Sequence, residues 1–94
     1  MNDVKINVRG KEMLLSTRAE QYSTNLLGLY HTSKSMEHVE MMLENFKDYD
    51  VDSNEEDLKI QIENIFAMPY GDSGIIYKLI YKQVEDFLIK AYKI

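Results

Sequence analysis

A chain of 94 residues with 45% hydrophobic and 29% charged side chains is too apolar for disorder and too short to divide into two cores, so one domain over 1–94 is expected. It has no cysteine, which excludes disulfides, thiolate metal sites and a cysteine nucleophile and points to a reducing, cytoplasmic setting. Its net charge is −5, and no stretch approaches the ~20 apolar residues of a membrane span.

Val4, Ile6 and Val8 alternate with Asp3, Lys5, Asn7 and Arg9, the period of two of a half-buried strand. The same alternation leaves no continuous apolar run in 1–9, so no signal peptide is expected there. Arg9-Gly10-Lys11 predicts a turn, with 12–15 returning as a second short strand. Residues 1–16 are thus a strand or hairpin and 17–94 a helical bundle. The fold class is mainly α, with three to five helices and a short N-terminal β-strand or hairpin.

Thr17-Arg18-Ala19-Glu20 reads as a capping box and places a helix start at Thr17. Tyr22, Leu26, Leu29 and Tyr30 follow at helical spacing. Gly28 either weakens this helix or allows something to pack closely on it. The hydroxyl-rich stretch 31–35 predicts a break, so 18–49 forms two helices or one long bent one. Met36, Val39, Met42, Leu43 and Phe46 resume the stripe, and 49–54 reads as a polar linker. Ser53 and Glu56 form a second capping box, ahead of Leu58, Ile62, Ile65 and Phe66. Pro69 ends that helix, and Asp72 or Ser73 caps the next. The last helix, 74–92, carries Ile76, Leu79, Ile80, Val84, Phe87, Leu88 and Ala91, widened by Tyr77, Tyr81 and Ile89. Such breadth predicts a central helix or an oligomer interface.

Charge is unevenly placed. Residues 36–64 hold ten acids against Lys47 and Lys59, a net of −8, while the rest of the chain is +3. Glu37, Glu40, Glu44, Lys47 and Asp48 recur at three- and four-residue steps and share a helix face opposite the apolar stripe. Together with Asp50, Asp52 and Met41, which falls off the core stripe, the four acids of that face form the expected partner-binding surface. Its complement is a basic surface on a larger protein, a nucleic-acid-binding protein being one such partner. Direct nucleic-acid binding is not expected. Lys78, Lys82, Lys90 and Lys93 are interleaved with tyrosines, but the acidity elsewhere repels phosphate. No membrane contact is expected. Tyr77, Tyr81, Leu88 and Tyr92 lie along one edge of the last helix and are the candidates for self-association into a homo-oligomer.

The patterns of bond chemistry are missing. Asp48-x-Asp50-x-Asp52-x-Asn54 begins like a calcium loop but has Ser53 where the turn needs glycine and Lys59 where a bidentate glutamate is needed. His31 and His38 are seven apart and read as exposed polar residues at a helix break, not as a zinc pair. The Gly71-Asp72-Ser73-Gly74 turn lacks the lysine of a phosphate loop, and no nucleophile motif is present. No catalytic residue, metal or cofactor is therefore expected, and the chain is not expected to be an enzyme.

In size, acidity and helicity the chain is similar in type to small bacterial immunity proteins and phage-borne inhibitors of host defence. The expectation is a non-catalytic protein-binding inhibitor, immunity or regulatory protein, encoded by a phage or mobile element. One alternative is a self-associating scaffold that uses the last helix. A second is a small transcriptional regulator, which needs a basic recognition helix that this sequence does not offer.

Overall fold

The computed structural model describes residues 4–46, 55–69 and 71–94. The protein is mainly helical, with an N-terminal antiparallel hairpin. Strands β1 (Lys5–Val8) and β2 (Lys11–Leu14) pair with Lys5 opposite Leu14 and Val8 opposite Lys11. Arg9 and Gly10 form the two-residue turn, at φ 52° and 84°. Positive φ at both positions is what a type I′ hairpin turn requires, and it matches the twist of the strands. The Gly10 N–H donates to Asn7 Oδ1 at 3.0 Å, which closes the turn. Ile6 and Val8 are buried beneath the helices, while Lys5 and Asn7 face solvent.

Helix α1 (Leu15–Thr32) follows β2 without a spacer. It starts two residues before Thr17, and the capping box expected at Thr17–Glu20 is not used. Leu14 is the capping residue and makes no side-chain cap bond. Instead the Leu15 N–H donates to Val4 O at 2.8 Å. One amide at the helix start, left without a helical partner, is thus satisfied by the backbone carbonyl just before β1 rather than by a hydroxyl.

The break at 31–35 is real and gives two helices. The Ser33 and Lys34 N–H groups both donate to Leu29 O at 2.9 Å, and Lys34 turns the chain at φ 51°. Ser35 then starts α2 (Met36–Phe46), its carbonyl accepting from the Val39 N–H at 3.2 Å. The linker 49–54 and the capping box on Ser53 lie outside the described residues. Helix α3 (Glu55–Phe66) ends ahead of Pro69, as the sequence requires.

Helix α4 (Ser73–Ala91) is capped by Asp72, whose Oδ1 accepts from the Gly74 N–H at 2.8 Å. Gly71 sits tightly against this helix start. A Cβ there would overlap the side chain of Ile76 and lie 3.2 Å from Tyr30 Oη. Helix α4 is central: it packs against both α1 and α3, with Ile76, Ile80 and Val84 fully buried. Leu79, expected in the buried stripe, is instead 38% exposed. The buried arc of α4 is centred on Ile80 and Val84, and Leu79 stands 100° before Ile80 around the helix axis. Helix α2 completes the bundle by packing on α1 and α3.

Candidate functional site

The structure gathers four of the seven expected partner-binding residues on one face. Val39, Met42 and Leu43 of α2 are buried, which turns Glu37, Glu40, Met41 and Glu44 outward. Met41 is 58% exposed, a large value for an apolar side chain on a short helix. Glu40 reaches Lys59 of α3 at 3.9 Å, a loose pair whose glutamate side is exposed and whose lysine is partly covered. Among the described residues, Glu37 and Glu44 have no ion-pair partner. Asp48, Asp50 and Asp52 lie outside the described residues.

Glu44 stands in the last turn of α2, where a negative charge opposes the helix dipole. The opposing charge comes from far along the chain. Arg9 Nη2 donates to Asn45 O and Arg18 Nη2 donates to Phe46 O, both at 2.7 Å. These are the two arginines of the chain, and both hold the carbonyl end of this one helix. Arg18 is only 7% exposed. Its guanidinium lies 5.1 Å from the Tyr22 ring and 5.0 Å from the Phe46 ring, and Nη1 donates to Gln21 Oε1 at 2.9 Å. The Tyr22 hydroxyl adds a longer bond to Phe46 O, at 3.3 Å. No short-range pattern signals this clamp, because Arg18 and Phe46 are 28 residues apart.

Beside the acidic face, between α1 and α2, runs an open groove of about 600 Å³. Its apolar part is made by Leu29, Met41, Met42 and Phe46; uncharged polar side chains and His38 complete its walls. Gly28 opens the α1 wall. A Cβ at that position would meet nothing within 4 Å among the described residues, so no contact there excludes alanine. A glycine in a helix interior costs about 1 kcal/mol relative to alanine, and here no internal packing uses the space it leaves.

The proposed self-association edge divides. Tyr77 and Tyr81 are half-buried neighbours with ring centroids 6.0 Å apart. They border an open depression of about 330 Å³ shared with Glu20, Lys78, Lys82 and Glu85. Burial, and then the nearby Glu20 carboxylate, pushes the Tyr77 hydroxyl above its ordinary pKa. Tyr92 is partly buried against the core. Leu88 does not belong with them: it is 1% exposed, one turn beyond Val84 on the buried arc, and is a core residue.

The histidines sit on different elements and are each tied to a serine. His38 Nδ1 is 2.9 Å from Ser33 Oγ, and His31 Nε2 is 3.1 Å from Ser73 Oγ. Among the described residues no three or more His, Asp or Glu side chains come close enough to hold a metal ion. Nor is any helix among them long and apolar enough to cross a membrane. No protein-family model, curated protein or solved structure matches the chain.

Proposed function

We propose that this chain is a non-catalytic protein-binding inhibitor, immunity or regulatory protein, which docks the outer face of α2 on a basic surface of a larger target. The observation that carries the reading is the combination on α2: Met41 exposed between Glu37 and Glu44, with no cation answering those two acids among the described residues. An apolar anchor flanked by like charges supplies contact area and electrostatic steering together. The fixed C-terminus of α2, held by Arg9 and Arg18, keeps that face in place before a partner arrives.

The test compares the wild-type chain with an E37K/E44K variant as bait in lysate of the host cell. A captured protein is then purified, and both chains are titrated against it at two salt concentrations. The expected result is an affinity loss of about tenfold or more in the variant, with a salt dependence that the variant lacks. Equal binding of that protein by both chains refutes the reading.

A second reading rests on a different observation, the half-buried Tyr77–Tyr81 ring pair on one flank of α4. In that reading the chain self-associates through α4 as a scaffold. Sedimentation over a wide concentration range separates the two, since the docking protein stays monomeric and the scaffold gains mass.

A further inference from the structure

We infer that the groove between α1 and α2 receives a single amphipathic helix of the partner, with its apolar stripe on Leu29, Met41, Met42 and Phe46 and its lysines or arginines toward Glu37 and Glu44. The inference rests on the docking reading above and names the chemistry of the docked element.

Four features of the groove converge on that occupant. The first is length. The groove runs along 24–32 of α1 and 38–46 of α2, about 13 Å at the rise of a helix, which matches two to three turns of a partner helix. The second is the form of the walls. Both are helices, with no open sheet edge between them, so an added strand would find no backbone to pair with, whereas helix ridges fit such a channel. The third is Gly28. Its missing side chain lets a partner approach the α1 backbone closely, a use for a helical glycine that the isolated chain does not supply.

Charge is the fourth. Among the described residues, the groove lining contains no aspartate, glutamate, lysine or arginine. The charge beside it comes from α2, where Glu37 and Glu44 share a face with Met41 at four- and three-residue steps. A partner helix with an apolar stripe in the groove therefore places one of its flanks against acids. Basic residues on that flank are favoured and acidic ones are rejected. Met41 and Met42 suit such a role, because unbranched thioethers adapt to different apolar partners.

The probes are two synthetic peptides of about 14 residues with the same net charge, which differ in composition only by one proline. One carries leucines at i, i+3, i+4 and i+7 with lysines beside them. The other has the same residues scrambled around a central proline that prevents a helix. Each is titrated into the isotopically labelled full chain and followed by amide NMR shifts. The expected result is binding of the helical peptide alone, with the largest shifts at Gly28, Leu29, Met41 and Asn45. G28L, which fills the groove and favours the helix, is expected to weaken binding about tenfold or more, with an unchanged circular dichroism spectrum. E37Q/E44Q is expected to remove most of the salt dependence.

Equal binding of the two peptides, reduced alike by E37Q/E44Q, overturns the helix-in-groove inference and leaves the acidic docking face standing. Shifts centred on Tyr77 and Tyr81 overturn both. Shifts at Gly28 and Met41 that grow with the chain's own concentration, without peptide, identify a second copy as the occupant and overturn the inference. So does the absence of any shift up to about 1 mM peptide.

Discussion

Arg18 offers the sharpest test of the physical picture, because two opposed effects meet there. Replacing it with methionine keeps a long apolar stem and removes the guanidinium. The loss includes a charge-assisted hydrogen bond to Phe46 O, about 2 kcal/mol. It also includes two ring contacts near 5 Å, together about 1–2 kcal/mol, and the complement to the C-terminal dipole of α2, about 0.5 kcal/mol. Against this, methionine avoids desolvating a charge. For a weakly hydrated guanidinium, whose stem is buried either way, that relief is about 1–2 kcal/mol. The net expectation is a destabilisation of about 2 kcal/mol, out of a total of about 5–14 kcal/mol for a chain of this length. Urea unfolding followed by far-ultraviolet circular dichroism measures it directly, and the thermal midpoint should fall by roughly 8–16 °C. Arg18→Lys should lie between the two, since it keeps the charge and loses the planar stacking. An Arg18→Met chain as stable as the wild type, or more so, would show that desolvation dominates and that the clamp does not hold α2.

The remaining predictions concern single groups. Gly28→Ala should stabilise the chain by up to about 1 kcal/mol, and Gly71→Ala should destabilise it by about 1–3 kcal/mol through overlap with Ile76; equal signs in urea unfolding would contradict the packing described. Ser23 is fully buried and its hydroxyl has no hydrogen-bond partner among the described residues, so Ser23→Ala should raise stability by about 1 kcal/mol, and a fall in the urea midpoint would point to a partner for that hydroxyl. The raised pKa of Tyr77 means the folded state resists losing that proton more than the unfolded chain does. Its stabilising effect is complete below about pH 10 and is lost as pH rises through the folded value, so Tyr77→Phe should flatten the alkaline fall in thermal midpoint, whereas identical slopes would argue against burial of the hydroxyl.

Much of the fold was legible because its signals act within a few residues. Alternation in 4–8 and a glycine at position 10 specify the hairpin. Hydroxyls at 33 and 35 mark the end of one helix and the start of the next, while Pro69 and Asp72 set the following boundaries. The outward placement of Met41 also followed from helical spacing alone, since it stands off the line through Val39, Leu43 and Phe46. Spacing failed where the answer depended on a neighbour distant in sequence. The Thr17 capping box was outcompeted by the carbonyl of Val4, the residue just before β1.

The sequence by itself determined which residues lie on a common helix face, where the chain turns, and that negative charge collects in the middle third. Only the tertiary structure decided how each face is rotated against its neighbours: it sent Leu88 into the core, left Leu79 exposed, joined Glu40 to Lys59 and opened a groove beside Gly28. It also brought Arg9 and Arg18 to one helix end, 36 and 28 residues from their acceptors. The physical reason is one of range. Periodicity and capping are short-range properties of the backbone, whereas burial, ion pairing and groove shape belong to surfaces that exist only once separate helices have packed together.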